Sequence, residues 1–403
     1  MQQKILLIVI FCLSITSFLG FKTVVNGERD DRLFPAQKDA ESMVKAAKAL
    51  APVEIDALRQ RELDALRSEP LDRGAIHNLS ILESLKGKDK KSQELSLLLA
   101  KLSLRDVASQ LTAINILSTK QDFEALLYHA DGLLRADPEL SVQILPALLS
   151  TLAKDGGSDA LANILAKEPP WRAELFNLVL ENDPSGVRGY QLLTALKNKT
   201  PGVRDEEIKL LIGKLIASKD WDRAYFIFLD FLSDTELLAV GSIFDGKFNF
   251  EPRNLGFSWT ISQRKNATMR IENKPGSSNE LALMLDFYED IGAFANVQQL
   301  VRLTPGRHEI SFDAMASNLK TEGGLLWQIN CVGETDSSAQ SAVLRDSSEW
   351  VRTKFQFDVP AEGCPVQRLM LVSANSSNLD TKITGKLYFD DFTVVEVATP
   401  VPQ

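Results

Sequence analysis

The 403-residue chain is poor in the residues that build most catalytic and metal centres, with three histidines and three cysteines. That leaves little material for a zinc site or a Cys/His nucleophile pair. His308-Glu309 lacks the second histidine of a zinc-binding helix. No G-x-S-x-G elbow, phosphate loop or dinucleotide fingerprint is present. A basic surplus is missing too. With 45 Lys and Arg against 54 Asp and Glu the net charge is -9, which argues against a general nucleic-acid binder. Adjacent carboxylates occur at Asp30-Asp31, Glu206-Glu207, Glu289-Asp290 and Asp390-Asp391. A glycosidase needs two that face each other across a cleft, and neighbours on a strand point to opposite faces. Charged surface explains these pairs better, and the chain reads as a non-enzyme. The 44% hydrophobic and 25% charged composition excludes a wholly disordered or polytopic membrane protein.

What is present begins with an apolar run. Lys4 precedes Ile5 to Phe21, seventeen residues that as a helix rise about 25 Å, the short end of a membrane span. Cleavage after Gly20 or Ser17 would place Phe18 or Ile15 where a small residue is wanted. The reading favours an uncleaved signal anchor over residues 1–25, with Lys4 on the cytoplasmic side and the bulk of the chain outside; a cleaved, secreted form is the alternative. Residues 26–35 form a charged tether.

Residues 36–240 read as an all-α domain. Apolar residues recur at helical spacing, and Ala, Leu, Lys and Glu dominate. Breakers such as Glu69-Pro70, Asp137-Pro138, Gly156-Gly157 and Pro169-Pro170 cut the run into helix lengths. The stretch from Leu71 recurs in outline from Leu104, and the turn Lys120-Gln121-Asp122-Phe123 has a near copy at Lys219-Asp220-Trp221. An aspartate there caps the following helix while the ring packs on the preceding one. A period near 34 residues resembles tetratricopeptide-type solenoids in degenerate form. An irregular bundle or a solenoid of another period are the alternatives. The resemblance implies an extended face for protein contact; a passive spacer is the bland alternative.

Near Gly241 the pattern changes to period two with turn residues. Residues 241–398 read as an antiparallel β-sandwich of about nine strands, with a short tail at 399–403. Phe244-Asp245-Gly246-Lys247-Phe248 followed by Phe257-Ser258-Trp259, then Gln299-Leu300-Val301-Arg302-Leu303-Thr304-Pro305-Gly306, then Gly385-Lys386-Leu387-Tyr388-Phe389-Asp390-Asp391-Phe392 stand in order. Together they resemble the landmarks of carbohydrate-binding jelly rolls of the galactose-binding-like class. The resemblance implies a structural calcium, for which Asp245 and Asp390 are the expected ligands; capped turns are the alternative. It also implies a sugar site, for which Trp327, Tyr288, Gln328 and Asn296 are the expected residues, although core packing competes for each aromatic ring.

Cys331 and Cys364 both fall in the β-domain. On the outward side of a membrane they are expected to form a disulfide worth roughly 3–4 kcal/mol. The N-x-S/T sequons at Asn78, Asn198, Asn266 and Asn375 matter only on a eukaryotic secretory route. Taken together, the resemblance is to bacterial envelope proteins. It implies an adaptor anchored in the bacterial inner membrane, with the bulk of the chain periplasmic, that docks an envelope protein through its helices and a polysaccharide through its sandwich, beside capsule or exopolysaccharide assembly. A purely structural protein scaffold is the second reading and a glycan-processing enzyme the third.

Overall fold

Short polar caps divide the helical sequence. Asp72 accepts the amides of Gly74 at 2.8 Å and Ala75 at 3.1 Å, Asp106 that of Ser109, Asp122 that of Ala125 and Asp220 that of Arg223. Each satisfies an amide that a helix start leaves without a partner. The computed structural model describes residues 52–288, 294–321, 323–332, 338–374 and 382–397. The proposed membrane anchor lies outside them. Among the described residues no helix is long and apolar enough to cross a membrane.

The chain divides into two compact units, Met1–Ala136 and Asp137–Gln403. In the first, α1 (Pro52–Ser68), α2 (Arg73–Leu85), α3 (Asp89–Leu102), α4 (Val107–Lys120) and α5 (Phe123–Ala136) each pack on the next. Arg73 to Val107 and Asp89 to Phe123 are both 34 residues, so two helix pairs repeat in phase. Buried Gln110 joins three helices. Its amide nitrogen donates to the carbonyls of Ala100 at 2.6 Å and Ser103 at 3.0 Å, which leaves its oxygen to accept from His129 Nδ1 at 2.7 Å. Burial holds the His129 imidazole below its usual pKa, in its neutral form.

The second unit opens with α6 (Ser141–Leu152), α7 (Gly157–Leu165), α8 (Arg172–Glu181), α9 (Val187–Leu196), α10 (Asp205–Ala217), α11 (Trp221–Asp230) and the single turn α12 (Asp234–Leu237). Arg172 is 1% exposed. It forks onto Glu207 at 2.7 and 2.8 Å and reaches Glu168, Leu165 O and Gly202 O with its other donors. All five guanidinium hydrogens are thereby used. Trp171 and Trp221 are core residues.

The helices lead directly into the sandwich. Arg253 binds Asp205 at 2.5 Å, the Phe231 carbonyl at 2.9 Å and Glu236 at 3.2 Å, while Phe228 packs edge-on against Phe244. The composition changes at Gly241, yet helices α6–α12 belong to the same compact unit as the strands that follow.

Sheet A has the order β1 (Thr260–Ile261), β4 (Val297–Val301), β9 (Gln367–Ser373), β6 (Leu325–Cys331), β7 (Ser338–Gln340). Sheet B has the order β2 (Ala267–Asn273), β3 (Leu281–Phe287), β10 (Ile383–Glu396), β5 (Gly306–Thr321), β8 (Val351–Val359). All pairings are antiparallel, giving an α plus β chain with a jelly-roll-like sandwich. Between the sheets lie Trp259, Trp327, Phe312, Phe389 and Phe392. Gly246 is required beneath them, because a Cβ there would fall 2.2 Å from the Phe392 carbonyl oxygen.

Replacing Arg172 by Ala should destabilise the second unit by about 3–5 kcal/mol, since Glu207 would stay buried without its cation. Denaturant melts check this. The double replacement Arg172→Met with Glu207→Met should recover most of the loss.

Candidate functional site

The outward face of sheet A is set by strand alternation. Val297, Val301, Trp327, Ile329, Leu369 and Leu371 point into the core, so the residues between them point out. Register aligns those outward residues across the sheet. Gln298 lies opposite Met370, Met370 opposite Gln328, and Gln328 opposite Gln340. With strands about 4.8 Å apart, three glutamine amides flank one thioether in a single row. The next row places Leu300, Arg368 and Asn330 side by side. The α10 and α11 helices border this face at one end. A Cβ on Gly256 would meet Ile216 at 3.2 Å and Leu300 at 4.0 Å, and Arg302 pairs with Asp222 while lying 5.2 Å over the Tyr225 ring.

Interior amides hold the frame. Gln299 brackets Phe244, accepting from its N–H at 3.0 Å and donating to its carbonyl at 2.9 Å. Gln367 accepts from Leu303 N at 2.8 Å and donates to Cys364 O at 2.8 Å. The disulfide Cys331–Cys364, with Cα atoms 5.1 Å apart, ties the end of β6 to the approach of β9.

The four expected sugar-binding residues are dispersed. Gln328 is in the amide row. Asn296 immediately precedes β4 on the side of Gln298, with its amide engaged by Arg264 and the Ser262 carbonyl. Trp327 is fully buried, with ring centroids of Phe392 at 4.9 Å and Phe389 at 5.3 Å, so it offers no face to a sugar. This corrects the expectation, and the reason is parity: Trp327 and Gln328 are neighbours on one strand and cannot share a face. Tyr288 is 51% exposed but directly follows β3 of sheet B, and its hydroxyl lies 3.1 Å from Thr268 Oγ1. Gln298, Met370, Gln340, Arg368 and Asn330 were not anticipated. Alternation phased on the buried Leu and Ile of β6 and β9 was the signal that could have found them.

The expected calcium ligands are otherwise employed. Asp245 caps backbone amides, Asn249 N at 2.8 Å and Phe250 N at 3.0 Å. Asp390 binds Lys274 Nζ at 2.6 Å and the Asp391 amide at 2.7 Å. Lys274 also lies 4.9 Å over the Trp350 ring. Burial pushes both carboxyls above the ordinary aspartate value, against these hydrogen bonds. A lysine ammonium supplies the cationic charge at Asp390, and Asp245 is a turn cap. Among the described residues no group of three or more His, Cys, Asp or Glu forms a metal cluster.

No family model and no curated protein matches the chain. Solved structures resemble its sandwich. One is a family 4 carbohydrate-binding module, 19% identical, covering 39% of this chain and all of that one, with TM-score 0.29. Another is the CBM22-1 xylan-binding domain from Paenibacillus barcinonensis Xyn10C, 14% identical over 35% of this chain and 86% of that one, TM-score 0.26. A third is the enzymatically active domain of tailspike protein 4 of bacteriophage CBA120, 13% identical over 40% of this chain and 21% of that one, TM-score 0.30.

Melting curves should superimpose in EDTA and in excess calcium. Lys274→Ala should lower stability by about 2–3 kcal/mol by stranding the Asp390 carboxylate. Unfolding that shifts with calcium in the wild-type protein would restore the metal reading.

Proposed function

We propose that this chain is a non-enzymatic, membrane-anchored periplasmic adaptor that recognises a polysaccharide through the outward face of sheet A. One observation carries the reading: the in-register row of Gln298, Met370, Gln328 and Gln340. Carboxamides donate and accept hydrogen bonds without charge, so they can exchange water for ring hydroxyls with little desolvation cost. The Met370 side chain supplies a polarizable contact for the C–H faces of a sugar ring. Binding rather than catalysis is supported by the engagement of Asp245 and Asp390 in caps and an ion pair.

The helices serve as a tetratricopeptide-like array for an envelope protein. The 34-residue phase of α2–α5 supports that, as do Tyr128 and Phe226, both more than half exposed. An oxidising compartment is supported by the Cys331–Cys364 disulfide. The membrane anchor rests on the apolar run of residues 5–21, and a place beside capsule or exopolysaccharide assembly rests on the resemblance of the whole architecture to envelope proteins.

Calorimetric titration of the full-length chain with a panel of neutral and acidic bacterial polysaccharides tests the face. Saturable binding is expected. Gln328→Ala should weaken it about fivefold, while Tyr288→Ala, past the end of a strand of the other sheet, should leave it unchanged. No binding to any member of the panel by folded protein would replace this reading with a protein scaffold.

A further inference from the structure

The two sheets differ sharply in charge. Strands of sheet B carry acids and bases in matched pairs, including Lys354–Glu309 at 2.8 Å, Arg352–Asp391 at 2.8 Å and Lys386–Asp286 at 3.5 Å. The five strands of sheet A contain no aspartate or glutamate, and a single charged residue, Arg368. Guanidinium groups elsewhere meet carboxylates, as Arg59 meets Glu83, Arg172 meets Glu207 and Arg253 meets Asp205. Among the described residues Arg368 meets none, and its buried Nε has no hydrogen-bond acceptor. Directly across on β6, Asn330 donates from Nδ2 to Cys331 O at 3.3 Å, and its buried Oδ1 has no donor. Among the described residues, the central strand of sheet A thus holds one cation without a carboxylate, in a protein of net charge -9.

We propose that the polysaccharide taken by this face is acidic, a uronate-bearing chain whose carboxylate pairs with Arg368. This rests on the reading of sheet A as a glycan surface. A carboxylate is planar and matches the guanidinium fork in a way that a hydroxyl does not. The row of Gln298, Gln328 and Gln340, two residues along each strand, takes the hydroxyls of neighbouring rings. The absence of carboxylates from these strands removes the repulsion that an anionic chain would meet on sheet B.

The test uses the full-length protein with polygalacturonate and polyglucuronate, each beside its carboxyl-reduced neutral form. Wild-type protein should bind a polyuronate at least about tenfold more tightly than its reduced form, and added salt should weaken that binding. Arg368→Gln should remove most of this preference by weakening polyuronate binding far more than binding of the reduced polymer. Arg368→Lys, which keeps the charge but not the fork, should retain part of it. Both variants should melt with the wild type, because among the described residues Arg368 has no carboxylate partner to lose. Equal affinity for acidic and reduced polymers, or an Arg368→Gln loss that is the same for both, would overturn the acidic-ligand proposal while the glycan face stands. Failure of every polysaccharide, acidic and neutral, would overturn the glycan face itself and the proposal with it.

Discussion

The Trp327 indole is the fixed point of the sandwich. It touches rings from several directions, with centroids of Phe392 at 4.9 Å, Phe389 at 5.3 Å, Trp259 at 5.8 Å and Phe312 at 6.2 Å. An aromatic ring of that size buries too much apolar surface to be turned outward cheaply. Its inward position fixes the phase of β6, and the β6–β9 register transmits that phase to the next strand. A one-residue slip would exchange Trp327 with Gln328 and put Leu369 where Arg368 stands. The chemistry on the outside of sheet A is therefore dictated by packing on its inside.

The rest of the second unit brings this face into contact with helices. Arg253 gathers Asp205 from α10, Glu236 from α12 and the Phe231 carbonyl at the end of α11. These contacts are charged and local, whereas the Phe228–Phe244 and Tyr225–Phe257 ring pairs give the seam apolar area. A change of composition at Gly241 marks a change of secondary structure; it does not mark a gap in packing.

Much of the architecture was legible because it rests on short-range chemistry. Asp122 and Asp220 cap helices because an aspartate before an aromatic at a helix start has few other uses. Strands β3, β6 and β9 were visible from alternating apolar residues. The last seven residues of β5, Met315 to Thr321, were not, because Ser317, Asn318 and Lys320 are weak strand formers held there by β10. β1 is only the two residues Thr260–Ile261, and β7 is three residues in a polar stretch. The site was the least legible part. Cross-strand rows depend on register between distant segments, and one sequence does not print which residues of β4, β9 and β6 lie abreast. The calcium ligands failed for a related reason, since Lys274 reaches Asp390 from 116 residues away.

The position of β10 sets an order in time. It is the last of the described strands, yet it lies in the middle of sheet B, between β3 and β5, and its Phe392 amide binds the carbonyl of Gly246 at the start of the domain. A ribosome that has made β2 through β8 has made two separate flaps of that sheet and no centre. The helices α1–α5 need only their sequence neighbours and can form while synthesis continues. The sandwich closes in one late step, when residues 383–396 arrive, and the outward face of sheet A acquires its firm backing only then.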